Sequence, residues 1–339
     1  MITPSDEIQR LYTRSRSTIV GAIDALALAV ARTDVAAIVR AKRRLGDQVR
    51  LSQALADLHG RRRVWIEYDH AVRAERAAIA DAEAGGTFAL PMHRRMVFTG
   101  ERTPNPLSGQ DTFAERVRKL LEQDERVLID LQADGFTSAA EWVDAIYGPA
   151  HGGAVSDLAI DAIAMRVRKL IEEMGGADEA VKAIRGGALR QWSEAYGDTA
   201  YRTAVNESYH AGRFQQATKN PDVMRFMPAM QYNAIPDSDV RRGRPIDHGE
   251  NHKALDGVIA SSTSRFWRVY APPNGFNCRC SLRMVNRFAL ERMGISDLDI
   301  ADGKPRSAGG AIVSLPSGGL GYVHPLFARA GKLDPYLAR

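Results

Sequence analysis

One short stretch constrains this chain more than any composition figure. Both of its cysteines, Cys278 and Cys280, stand with only Arg279 between them, and two of its eight histidines, His248 and His252, stand four residues apart just upstream. Two cysteines cannot build a disulfide framework, so the fold must rest on a buried core. At 339 residues, with 45% hydrophobic and 26% charged residues, the chain has the length and composition for such a core and for two domains. Before the stretch the apolar periodicity is mostly helical. After it the chain is short and irregular.

Charge is unevenly placed. Residues 1–150 carry 21 Lys and Arg against 21 Asp and Glu, whereas residues 200–290 carry 13 against 7. The plain reading of that surplus is a solvated basic face, and the sharper one is a surface facing the phosphates of double-stranded DNA without regard to sequence. The longest apolar run, near Ile19–Val30, is too short for a bilayer and is broken by Asp24, so no membrane span is predicted. No signal-peptide pattern opens the chain, so synthesis in the cytoplasm is expected.

Residues 1–84 predict a helical hairpin or bundle. Ser5 can cap a first helix with Ile8, Leu11, Ile19, Ile23 and Leu26 on one stripe. Thr33-Asp34 can cap a second, with Ile38, Leu45, Val49, Leu55 and Leu58; Gly60 is read as its end and Arg61-Arg62-Arg63 as the start of a third. That triplet and Lys42-Arg43-Arg44, set among acids, read as solvated faces. Gly85-Gly86, Pro91, Pro104, Pro106 and Gly109 break the period, predicting a loop or arm over 85–110 of the kind that orders on a partner. Residues 111–187 return to helix, the last one stopped by Gly175-Gly176. A long helix runs from Ala188 to Asn220, ended by Pro221. Strands are predicted over Met224–Ile235, Arg265–Tyr270 and Arg279–Val285, so 188–293 reads as a small α+β domain and 294–339 as an irregular tail. The fold class is therefore α+β: a long, mostly helical N-terminal region, then a small antiparallel-sheet domain with a Cys/His loop module.

His248, His252, Cys278 and Cys280 offer two imidazoles and two thiolates, the donor set of a closed tetrahedral zinc site. The alternative is two buried thiols packed under Trp267, with the histidines in hydrogen bonds. Asp247-His248, Asn251 and His252 also resemble a ββα-metal nuclease core, but no further histidine follows until His324, in the tail. There is no nucleophile elbow, P-loop or dinucleotide fingerprint. Asp237, Asp239, Arg241, Arg242, Arg244, Asp247 and Asp256 crowd opposite charges together, as Arg–carboxylate forks that lock a loop against a sheet would require. From the residues alone, a polar-cored module that holds a loop in place is favoured, with no catalytic residue and no cofactor beyond zinc.

The ordered set Asp237-Ser238-Asp239-Val240-Arg241, His252-Lys253-Ala254-Leu255-Asp256-Gly257, Pro272-Pro273 and Asn277-Cys278-Arg279-Cys280 resembles the Mu F-like head-morphogenesis domain of tailed phages. Upstream, Tyr201-Arg202-Thr203-Ala204-Val205-Asn206-Glu207 is similar to the helix that precedes the sheet in that family. The resemblance covers about Ala188 to Asn286. It implies a non-enzymatic minor head protein of low copy number, in the virion at the capsid interior or portal vertex. Its implied partners are the portal protein and the major capsid or scaffold protein, close to packaged DNA. Many relatives carry His-Pro before the cysteine pair, where this chain has Gly275-Phe276; if that histidine ligates a metal in them, His248 would replace it here. A metal-dependent nuclease with His248 as base, and a zinc-stabilised interaction module with no virion role, are the alternatives.

Overall fold

The computed structural model describes residues 4–83, 112–146, 149–234, 252–275 and 278–315. The arm expected over 85–110 lies outside them. Two helices open the chain, α1 (Pro4–Ala31) and α2 (Val35–Glu83). Thr33 takes a positive φ of 54° at the turn between them, and Asp34 caps α2 by accepting the Ala37 N–H at 2.9 Å. At 49 residues α2 runs straight through Gly60, which therefore neither ends a helix nor precedes a new one. Next come α3 (Phe113–Gln123), α4 (Arg126–Ala133), α5 (Ala139–Ile146), α6 (Pro149–Met174), α7 (Ala177–Arg185) and α8 (Arg190–Lys219). The start of α3 is fixed by a reciprocal cap: Thr112 Oγ1 accepts the Glu115 N–H, and the Glu115 carboxylate accepts the Thr112 N–H.

The chain divides into two compact units, one from Glu7–Ala56 and Gly109–Ser208, the other from Met1–Asp6, Asp57–Ser108 and Tyr209–Arg339. Both α2 and α8 contribute to each. In the first unit α1 buries Ile19, Val20, Ile23, Leu26 and Ala27. Gly197 on α8 lets that stripe come close, since a Cβ there would sit 3.1 Å from Ile23 Cδ1. Arg16 pairs with Asp198 at 2.9 Å and Arg190 with Asp24 at 3.4 Å, partly exposed pairs that contribute at most about 1 kcal/mol each.

The second unit holds the sheet. Asn220 caps the short α9 (Pro221–Phe226) through the N–H groups of Asp222 and Val223. Three antiparallel strands come after it, β1 (Ala229–Asn233), β2 (Ile259–Ser261) and β3 (Ser281–Val285), in the order β2-β1-β3, with Met230 opposite both Ala260 and Met284. The strand expected over Arg265–Tyr270 is instead the helical turn α10 (Trp267–Tyr270). Its aromatics explain the difference: Phe266 and Tyr270, four residues apart, stack at 4.8 Å on one helical face, and the Trp267 indole N–H reaches the Ser261 carbonyl at 2.9 Å. Ala229, Ile259 and Val285 close a core with Leu290 of α11 (Arg287–Arg292), Ile295, and Ile300 of α12 (Asp297–Ala301). Residues after 294, expected to be irregular, thus help bury the sheet. Arg306 bonds to Ile259 through backbone N–H and C=O, while its guanidinium pairs with Asp299 and Asp302.

Within this unit α2 and α8 meet at two glycines. A Cβ on Gly60 would run into the Tyr209 carbonyl, its carbon only 3.0 Å away; a Cβ on Gly212 would run into that of Asp57, 2.7 Å from its carbon. The crossing buries two of the three arginines that the sequence assigns to a solvated face: Arg61 is 2% and Arg62 8% exposed, and Arg63 is half-buried. Arg61 pairs with Asp57 at 2.9 Å and also bonds Gln215, so its charge is compensated inside the protein.

His59 lies in the same buried run of α2, 6% exposed. Burial, reinforced by the nearby Arg62 charge, pushes its pKa down from 6.5 to about 3. The unfolded chain therefore takes up this proton more readily than the folded one. The stability tied to neutral His59 is full above the unfolded value and is lost as pH falls from 6.5 towards 3. Urea unfolding is expected to show a loss of about 2 kcal/mol between about pH 7 and pH 5. His59→Leu, similar in size and without a charge to exclude, should flatten that slope.

Candidate metal centre

Three side chains predicted from the sequence to ligate metal come together in the second unit. His252 begins the 3-10 turn His252–Leu255, and Asp256 and Gly257 hook that turn onto the end of β1. Gly257 takes φ 78°, a left-handed conformation that glycine adopts without strain, and donates its N–H to Tyr232 O at 2.9 Å. Asp256 Oδ1 accepts the Ala234 N–H at 2.9 Å, and Leu255 is fully buried. The His252–Gly257 run thus reads physically as a buried imidazole, a buried anchor and a turn that returns the chain to the sheet.

The cysteines arrive from the other side. After α10 the chain passes through Ala271, the cis-linked Pro272-Pro273, Asn274 and Gly275, all buried. Asn274 is the peg of this segment: its amide donates to Tyr232 Oη at 3.0 Å and to the Tyr270 carbonyl at 2.9 Å. Cys278 and Cys280 then lead into β3, 5% and 1% exposed, with Arg279 half-buried between them. The Cys280 carbonyl lies 3.2 Å from His210 Nε2 on α8; a carbonyl only accepts, so that nitrogen carries the proton.

His252 Nδ1 stands 3.7 Å from Cys278 Sγ and 3.9 Å from Cys280 Sγ, and the three donor atoms all lie within 4.8 Å of one another. The Cys278 thiol is held well below its ordinary pKa, first by its hydrogen bond with Cys280 and then, against the opposing effect of burial, by the His252 ring and the Asn274 N–H. Tyr232 is pushed well above its ordinary value by burial and by the neighbouring Cys280 and Cys278. Its hydroxyl therefore stays a donor facing sulfur. His252 is 7% exposed beside two sulfurs, a setting unlike that of a general base with water or substrate in reach.

Arg202 is on α8 in the first unit, half-buried beside Asp198. His248, Asp237, Asp239, Arg241 and Asn277 lie outside the described residues. Among the described residues no fourth imidazole, thiolate or carboxylate joins the cluster. Tyr232, Asn274 and His210, which frame it, carry no sequence signal of their own. Part of the basic surplus is used internally: Arg213 pairs with Glu67, Arg225 with Asp222 and Arg287 with Asp297.

Residues 160–283 match the family described as Phage Mu protein F like protein. Over 139 residues the chain is 27% identical to the Mu-like prophage FluMu F protein of Haemophilus influenzae, covering 41% of this chain and 30% of that protein. Over 119 residues it is 31% identical to the putative capsid assembly protein F of Escherichia phage Mu, covering 35% of this chain and 24% of that protein. The chain thus spans under a third of the length of these relatives. No solved structure matches it.

Proposed function

Because residues 160–283 are Mu F-like and one relative carries the name of a capsid assembly protein, we propose that this protein is a minor head protein that acts by binding during phage head assembly. The observation that carries the reading is the order of the matched pieces along one segment: the long helix α8, the turn from His252 to Gly257, and the Cys278–Cys280 pair leading into β3. The role is structural. Its partners are other head components, the portal protein or the coat and scaffold subunits, and its place is the capsid interior or portal vertex. No helix among the described residues is long and apolar enough to cross a membrane.

Quantitative mass spectrometry of purified particles and procapsids from a strain that encodes the gene tests this directly. A few copies per particle against many coat subunits is the expected result, and cross-linking on the same particles would identify the neighbour. Absence from both virions and procapsids would overturn the reading.

A further inference from the structure

We propose that His252 Nδ1, Cys278 Sγ and Cys280 Sγ ligate a single structural Zn²⁺ ion. The distances carry the argument. With Zn–S near ~2.3 Å and Zn–N near ~2.0–2.1 Å, tetrahedral angles put nitrogen and sulfur about 3.6 Å apart. The two observed separations are 3.7 and 3.9 Å. Two edges of one tetrahedral face therefore already have the right length, and all three donors lie within 4.8 Å of one another.

Hydrogen bonding alone explains the arrangement less well. An imidazole nitrogen has one lone pair, or one proton, and can satisfy one thiol. Here two sulfurs converge on the same Nδ1 at nearly equal range, which a cation between all three would satisfy at once. The donors also select the ion. Two thiolates and an imidazole suit zinc, whereas calcium and magnesium take oxygen. The surroundings belong to a metal-thiolate centre as well. The Asn274 N–H and the Tyr232 hydroxyl both point at sulfur, where they would steady negative charge, and the three donors are buried. Burial argues for an ion that holds the fold rather than one that meets a substrate. It would tie the turn at His252 to the approach to β3 across sequence separations of 26 and 28. Such a cross-link contributes folding free energy.

The test uses the full chain, expressed in zinc-supplemented medium and purified without chelator. Elemental analysis should find about one zinc per chain, falling at least tenfold in His252→Ala, Cys278→Ser and Cys280→Ser. Chelation should lower the thermal midpoint, and added zinc should restore it. If the variants do not fold, the wild-type chain still decides: Co²⁺ added to the chelated protein should give thiolate charge-transfer absorption and tetrahedral d–d bands, and the two thiols should resist alkylation until metal is removed. Folded wild-type protein with less than about a tenth of a zinc and no cobalt–thiolate absorption would overturn the proposal. So would zinc retained in folded variants, or Cys278 and Cys280 recovered as a disulfide. These readouts need no particle, so they stand or fall separately from the role in head assembly.

Discussion

Gly212→Ala is expected to destabilise the protein by about 1–3 kcal/mol, although helix propensity alone would make it stabilising by about 1 kcal/mol. The sign is decided by what the new methyl meets. At Gly212 it runs into the Asp57 carbonyl, 2.7 Å from its carbon, with the side-chain Oδ1 also 2.5 Å away; at Gly60 the obstacle is the Tyr209 carbonyl. Neither obstacle is the end of a side chain that could swing aside. Relief means parting α2 from α8, and with them Arg61 from Gln215 and Arg213 from Glu67. Gly60→Ala should behave in the same way. Gly21→Ala is the control, since it sits in α1 with nothing within 4 Å and should gain roughly 1 kcal/mol. Thermal unfolding of the three variants reads the contrast. A Gly212→Ala protein as stable as its parent would refute the close crossing.

Removing the charge of Glu67 should cost about 3–5 kcal/mol, because it leaves Arg213 buried without its counter-ion. Arg213 is 1% exposed; its NH2 group donates to Glu67 Oε2 at 2.9 Å and to the Leu282 carbonyl at 2.9 Å. Glu67 also accepts the Met284 N–H at 3.2 Å and pairs with Arg63, so one carboxylate joins α2, α8 and β3. Burial alone would raise the Glu67 pKa, but the charges and hydrogen bonds of Arg213 and Arg63 hold it below its ordinary value. Its contribution is therefore full above the unfolded carboxylate value and is lost as pH falls through the lower folded one. That acid limb begins near 4.5, within the lower part of the range over which His59 acts. Glu67→Gln and Arg213→Met should each fall near the stated cost in urea unfolding. Glu67→Met with Arg213→Met should cost less than the two added together, since the buried Arg213 charge goes with its partner and only Arg63 loses a carboxylate. Additive losses would show that the pair itself, rather than the unpaired charge, carries the stability.

These two sites also mark where the sequence stops being legible. The stripe of α1, the Asp34 cap and the Asn220-Pro221 break depend on neighbours a few residues away, and local pattern reveals them. Gly60 reads as a helix end because glycine is a poor helix former, whereas its reason is a backbone carbonyl at Tyr209. Arg61 and Arg62 read as solvated because nothing nearby in sequence announces Gln215 or the crossing. Arg265–Tyr270 reads as a strand because aromatic and β-branched residues favour strands, yet they also suit a helical turn when two rings stack four residues apart. The candidate centre is partly visible for the opposite reason. Cysteine is so scarce in this chain that Cys278 and Cys280 draw attention, with His252 the histidine they share. Tyr232, Asn274 and His210 are common residues whose importance comes only from where the fold delivers them.

The crossing of α2 with α8 has a consequence for what counts as a portable module here. The Mu F-like match begins at residue 160, far downstream of Asp57, Gly60 and Glu67. Yet within one compact unit those three residues supply the surface that Gly212 was kept small to meet and the carboxylate that neutralises Arg213. The edge of the match falls inside a folding unit. In a fragment of residues 160–283 alone, a buried cation would have no counter-ion and a glycine would face no helix, so that stretch needs a helix in the place of α2 to keep this packing.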